Sequence, residues 1–463
     1  MKRRDFIASA VASLAAPVIF TRPVHAAGVQ GPRLTMPPLL DTRTSGRLDL
    51  RAMAGATSFG RGRLSRTVGF NQSYLGPTIL VDNDSTVATR VMNTLNEDIT
   101  AHWHGAIVPG IHDGGGHLAI RPGDTWTPEI TFDQPPATLW YHSHAHRRTA
   151  AQVYHGLAGL LHLSDGRDDQ RGLPSAYGID DLSLVLQDRR FGHQGQMVYQ
   201  PSNNDLMNGF IGSRMIVNGQ MGAVAAVPKG LVRLRMLNAS NARTLNLAFT
   251  DNRPMHLFAT DGGFLPAALD VTQIRLAPAE RVEVLVDFSA GGTARLISDP
   301  ATPLHVLDFA TDASLPVRIT ALPGALDAEV PDLLGRETVT RDLTLDMGQL
   351  GGMAASFGIN GRPYDHNRID FHVKLGAVER WIIRSTVLPH PFHVHGVQFR
   401  VLSENGRPPQ AHNTGWKDVL LVPNEAEIIA RFTKVADESA PYMFHCHILE
   451  HEDGGMMGQF TVG

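Results

Sequence analysis

Cysteine is almost missing from this sequence: of 463 residues, only Cys446 carries a thiol. No intrachain disulfide can form, so the fold has no covalent staple and must rest on packing. Long apolar runs are also lacking. The one near the amino terminus ends by Phe20, short of the ~20 residues that a membrane-spanning helix needs. Charge of either sign is not in excess: 41 Lys and Arg stand against 45 Asp and Glu, a formal net charge of -4 with a pI near 6.6. That balance excludes the electrostatic footprint of a nucleic-acid binder or of a protein drawn to anionic membranes.

What is abundant is glycine and proline, 45 and 29 residues. Short β-branched runs alternate with turn signals such as Asp261-Gly262-Gly263 and Glu404-Asn405-Gly406, a texture that predicts an all-β protein built of β-sandwiches. The opening Met1-Lys2-Arg3-Arg4-Asp5-Phe6, its apolar run and Val24-His25-Ala26 read as a twin-arginine export signal over 1–26, cleaved after Ala26. The expected location is the periplasm, with no membrane anchor in the mature form. Removing the leader leaves roughly 440 residues, enough for three domains at about 150 residues each.

An internal repeat supports that number. Pro77–Val81 leads to Thr89–Asn93, Met215–Gly219 to Val232–Met236, and Phe357–Gly361 to Glu379–Ile383, each a strand, a turn and a second strand. The expected architecture is three Greek-key sandwiches over 28–165, 178–320 and 337–463. The polar stretch Ser164–Tyr177 and the Pro-bearing stretch Thr320–Arg336 read as linkers. Short helices are expected around Tyr154–Leu160 and Ile448–Glu450.

The chemistry sits in the histidines. His445-Cys446-His447, followed by His451 and Met456, places the lone thiol between two imidazoles. Side chains alternate faces along a strand, so His445 and His447 point one way and Cys446 the other, and one strand can serve two metal sites. A thiolate, two imidazoles and a weak thioether suit a blue copper. Three more pairs show the same period-two spacing: His102-Trp103-His104, His142-Ser143-His144 and His393-Val394-His395. Four such pairs can hold three further copper ions, and His390, at an odd interval from His393, is free to complete the blue site.

The repeat shows where metal chemistry is kept. Asn93 and Arg384 are followed at one interval by His102 and His393, whereas Asn238 is followed at that interval by Leu247. Ser143 stands in the first copy where Cys446 stands in the third. The cluster is therefore expected between the outer domains, with the middle domain as a spacer.

Through HWHG at 102, HSH at 142, HPFHVHG at 390 and HCHILEHEDGGMM at 445, the sequence resembles the multicopper oxidase family, above all bacterial periplasmic copper-efflux oxidases and laccases. The resemblance implies cupredoxin-like domains and four copper ions. His390, Cys446, His451 and Met456 would hold the type 1 ion and His102 and His393 the type 2 ion; His104, His142, His144, His395, His445 and His447 would hold the type 3 pair. It also implies that Asp113 and Glu452 relay protons to the cluster or orient its water. His146, beyond the HSH pair, is left out because the family pattern does not use it.

For substrate, the sequence resembles copper-efflux oxidases in ENGRPPQAH at 404 and GWKDV at 415, but its Met347–Ser356 stretch offers only Met347 and Met353, where those enzymes gather Cu(I) with many thioethers. The segment Ser385–Pro389 also lacks the Asp and Met that family members carry there. The expectation is a monomeric laccase-like oxidase of phenols and aromatic amines, with O2 as acceptor and Cu(I) as a secondary donor. Electrons are expected to enter at an exposed edge of His390. The competing readings are a cuprous oxidase for copper tolerance, a copper-storage protein, and a copper-free scaffold like the family's cell-division member.

Overall fold

The computed structural model of the chain describes residues 24–26, 29–60, 62–326, 328, 332–350 and 353–463. The expected leader lies outside the described residues up to position 23; Val24–Ala26 pair antiparallel with Val29–Gly31. The architecture is all-β, with six large sheets packed in pairs as three cupredoxin-like sandwiches among the described residues. In the first, one sheet runs Glu129–Phe132, Ser85–Asn93, Arg47–Thr57, Ser65–Phe70. Its partner runs Leu39–Asp41, Thr78–Asp82, Ala158–Ser164, Ala137–His142, His102–His104. The third repeats the plan: the sheet Phe371–Val373, Met457–Val462, Tyr442–Cys446, His390–Val394, Val419–Val422 carries its histidines.

Asn-Gly turns explain why the repeated blocks fold alike. Asn218-Gly219 and Asn360-Gly361 take positive φ at both residues, 52° and 74°, then 52° and 73°, as a tight type I′ hairpin turn requires. The asparagine also ties the hairpin down: Asn218 Oδ1 accepts from Val185 N at 2.8 Å and Asn360 Oδ1 from Thr344 N at 2.7 Å.

Each sandwich has its own apolar core. Leu234, Val284 and Phe309 lie in the middle one, Trp381, Phe444 and Phe460 in the third, Val91, Ile130 and Leu161 in the first. A further cluster draws Trp140 and Tyr154, Leu237, and Val419 and Leu449 from all three. Burial of this shared surface holds the sandwiches against one another, which is what a site built between them needs.

The helix expected around Tyr154–Leu160 is displaced. It spans Thr149–His155 and ends at Gly156, whose φ of 120° does not continue a helix. Ala158–Ser164 is instead a wholly interior strand between Thr78–Asp82 and Ala137–His142, and that sheet position overrides local helix propensity. The second helix spans Leu449–Asp453, starting just after Ile448.

Candidate metal centre

Strand register brings the pairs together. On the first sandwich His102 lies opposite His142, and on the third His393 lies opposite His445. Directly opposed residues share a face of the sheet, so each outer domain presents four imidazoles, and the two faces meet. Three sets result: His104, His142 and His447; His144, His395 and His445; and His102, His104 and His393. Within each, the ligand atoms lie within 4.8 Å of one another. All eight residues are at most 2% exposed.

Most of the outward ring nitrogens are engaged, which turns the other nitrogen inward, whereas neither ring nitrogen of His447 has a partner. His142 Nδ1 faces the Ser143 carbonyl at 2.9 Å, His445 Nδ1 the Cys446 carbonyl at 3.0 Å, and His393 Nδ1 the Asp418 carbonyl at 2.7 Å. His104 is reversed: its Nε2 lies 3.0 Å from Asp418 Oδ1 and its Nδ1 faces His142 Nε2 at 3.4 Å. Inward, His445 Nε2 lies 3.2 Å from both His144 Nε2 and His395 Nε2. The Nε2 atoms of His102 and His393 are buried and have no partner. Burial disfavours the charged form of seven of these rings, with His144 lowered to about 3 and His104, His142, His393, His395, His445 and His447 well below their ordinary value. Neutral imidazoles with inward lone pairs and no proton donor among them fit metal cations.

Cys446 turns to the opposite side of its strand. Its Sγ lies 3.3 Å from His390 Nδ1 and 3.8 Å from His451 Nδ1, and the two nitrogens are 3.3 Å apart. Ile448 N donates to the sulfur at 3.3 Å. Met456 is fully buried in the same apolar cluster. Burial pushes the thiol far up and lowers His390 to about 3 and His451 to about 4. Burial by itself therefore favours the protonated sulfur, and a bound cation is what would favour the thiolate.

The expected exposed edge of His390 is not found: the residue is 0% exposed, although its Nε2 has no partner. His451 is covered too. Its Nε2 donates to the Met207 carbonyl at 3.1 Å, and the Phe357 ring stacks on it at 4.6 Å. Phe357 belongs to the hairpin of Glu337–Leu350 and Met353–Ile359, which includes the methionine-poor stretch 347–356; positions 351 and 352 of that stretch lie outside the described residues.

The carboxylates flank the cluster. Asp113 Oδ2 accepts from His395 Nδ1 at 2.7 Å, and the Asp113 carbonyl lies 3.0 Å from His102 Nδ1. Its neighbour Gly114 has a φ of 76°, and a Cβ there would lie 1.9 Å from the Ala101 carbonyl oxygen, so only glycine brings Asp113 this close. Glu452 lies 3.3 Å from His445 Nδ1 and 3.6 Å from His144 Nε2. Burial raises its carboxyl well above the usual range. His146 is exposed and stacks beside His366 instead.

The middle sandwich is more than a spacer. Arg281 makes a bidentate pair with Asp418, at 2.6 Å to each oxygen. Burial pushes the Asp418 carboxyl up against the pull of that guanidinium. Met207 caps His451, and Glu450, beside His451, accepts from Tyr199 Oη at 3.0 Å and Asn241 Nδ2 at 2.8 Å. Period-two spacing could not find Asp418 or Arg281. The single signal for Asp418 was its place in the GWKDV motif.

Family models described as multicopper oxidase match residues 53–168, 179–294 and 336–463. The chain is 38% identical to the cell division protein FtsP of Xenorhabdus nematophila, over 100% of this chain and 98% of that one. It is 36% identical to the multicopper oxidase mco of Staphylococcus aureus, over 93% and 92%. Among solved structures, a laccase-like multicopper oxidase, CueO, from Ochrobactrum sp. superposes with a TM-score of 0.88 at 43% identity, over 93% of this chain and 100% of that one. That protein is described as having oxidase activity towards lignin model compounds and lignosulfonate. A laccase from Pediococcus acidilactici superposes with a TM-score of 0.83 at 34% identity, over 93% of each chain.

Proposed function

The chain belongs to the multicopper oxidase family, and on that premise we propose that it is a laccase-like oxidase, taking electrons singly from phenols or aromatic amines and reducing dioxygen to water. The observation that carries the reading is the donor set: eight buried imidazoles between the outer sandwiches, and one thiol with two imidazoles on the reverse side of the same strand. In this reading His390, Cys446, His451 and Met456 hold a type 1 ion and His102 and His393 a type 2 ion. The pair of type 3 ions falls to His104, His142 and His447 on one side and His144, His395 and His445 on the other.

Copper bound in these sets supplies one-electron storage and the four-electron reduction of dioxygen. The chain's own part is to connect, orient and protonate. Cys446 is joined through its backbone to His445 and His447, so a covalent path links the two sets. Glu452, its carboxyl pushed up by burial, and Asp113, aimed at His395, are the proton-handling groups at the cluster. The domain bounds 28–165, 178–320 and 337–463 go with this reading. So do a monomeric state and export to the periplasm by the twin-arginine route. Among the described residues no helix is long and apolar enough to cross a membrane.

Since His390 is covered, we place the donor beside the segment that leads into it, where Val387 is 64% exposed. The activity described for the Ochrobactrum protein favours phenolic donors. The cell-division relatives favour a second reading, a scaffold without turnover. Copper per chain, and oxygen uptake with a dimethoxyphenol and with chelated Cu(I), decide among these. Four copper ions and a larger specificity constant for the phenol support the oxidase. A larger constant for Cu(I) without added Cu(II) transfers the function to copper tolerance. Copper without turnover marks storage, and a chain that takes up no copper is a scaffold.

A further inference from the structure

We propose that Arg281, on the middle sandwich, is a positioning residue for the cluster: it fixes the Asp418 carboxylate, which in turn holds His104 with its Nδ1 facing the other imidazoles. The inference rests on the reading of the cluster as a copper site. It assigns the middle domain a part in that site although the domain offers no ligand.

A neutral imidazole carries one proton, and the partner of one nitrogen decides which nitrogen keeps a lone pair. His104 Nε2 lies 3.0 Å from Asp418 Oδ1, so an acceptor there keeps the proton on Nε2 and leaves Nδ1 free. Asp418 is fully buried, and its carboxylate is oriented by one cation, Arg281, with Nη1 2.6 Å from Oδ1 and Nη2 2.6 Å from Oδ2. Two parallel contacts fix the carboxylate plane in a way a single point charge cannot.

Arg281 is itself immobilised by all three sandwiches. Its Nε donates to the Thr138 carbonyl of the first at 3.0 Å, its Nη2 to the Asp261 carbonyl of the middle one at 2.9 Å, and both Nη atoms to Asp418 of the third. The effect reaches both rings of one stacked pair in the cluster. His104 and His393 lie 3.7 Å apart at 11°, one held by the Asp418 side chain and the other by its carbonyl. The sequence makes room for the pair. Gly105, at φ 89°, follows His104, and a Cβ there would lie 2.6 Å from Asp418 Oδ2 and 2.7 Å from Arg281 Nη2.

The test uses the full chain, reconstituted with copper, and two variants, Arg281→Lys and the charge-balanced Arg281→Met/Asp418→Asn. The second leaves no unpaired buried carboxylate, so it avoids the folding penalty of removing arginine alone. An asparagine freed of its clamp can present either its oxygen or its amide to His104. The readouts are EPR-silent copper per chain, the chelator concentration that strips it, and the blue absorbance of the Cys446 site. In the double variant the EPR-silent pair should be stripped at about 10- to 100-fold less chelator, in Arg281→Lys at an intermediate concentration, with the blue absorbance kept in both. Retention equal to that of the parent chain overturns the inference, and so does parallel loss of the pair and the blue copper, which would mark a general defect. If the parent chain holds no EPR-silent pair, the copper-site reading itself fails, and that is seen before any variant is made.

Discussion

Asp113 Oδ2 and His395 Nδ1 meet at 2.7 Å across the boundary between the first and third sandwiches, with both side chains at most 2% exposed. The contact orients an imidazole of the cluster and places a carboxylate beside it, so in the proposed reading a single residue would serve position and proton supply together.

The two roles separate by substitution. Asp113→Asn keeps an acceptor for His395 and loses the charge; Glu452→Gln loses the acid. Both variants should slow reoxidation of the reduced protein by oxygen about 100-fold or more, while reduction by a phenol is spared. Stopped-flow absorbance of the two half-reactions measures this. Equal slowing of both would place these residues in the scaffold.

Cys446→Ser should abolish the blue colour and phenol oxidation while the copper held between the outer sandwiches is kept, since no histidine of that cluster depends on the sulfur side of the strand. Metal analysis beside the visible spectrum checks it. Loss of all copper would show that the two sets do not fill independently.

The copper-free protein should lose stability in acid. Burial lowers His144 and His390 to about 3 and His451 to about 4, below the value of about 6.5 in the unfolded chain. The unfolded state therefore binds more protons below that value. The stability these groups contribute is full above about pH 6.5 and falls as pH drops towards their folded values, by about 1.4 kcal/mol per pH unit for each group. Denaturant titrations of the copper-free protein at pH 7 and pH 5 read the slope. A flat profile would mean the imidazoles are open to solvent without metal.

Gly114→Ala should destabilise the chain by more than about 1 kcal/mol, because a left-handed φ of 76° coincides with a Cβ that would lie 1.9 Å from the Ala101 carbonyl oxygen. Gly123→Ala, at φ 86° with nothing within 4 Å, carries the backbone strain alone and serves as the control. Equal losses in the two variants would remove the steric argument for Gly114 and, with it, the account of how Asp113 reaches His395.

The periodicity in this sequence carried much of its structure. Alternation along a strand puts His445 and His447 on one face and Cys446 on the other, whatever surrounds them, because it is a property of the extended backbone. Asn218-Gly219 and Asn360-Gly361 likewise specify their turns locally, through a positive φ that few other residues accept. The meeting of particular rings is a different matter. His144 and His445 face each other across 301 positions of chain, and only the packing of the outer sandwiches brings them together. The pairing of Arg281 with Asp418 carries no local signature, since an ion pair between sheets depends on which sheets pack. Burial of His390 was equally beyond sequence reasoning, for it is set by the chain around it. The helix expected at Tyr154–Leu160 moved to Thr149–His155 because an interior place beside two other strands claimed Ala158–Ser164. Local backbone geometry thus decided which side chains share a face, and long-range burial decided which faces meet.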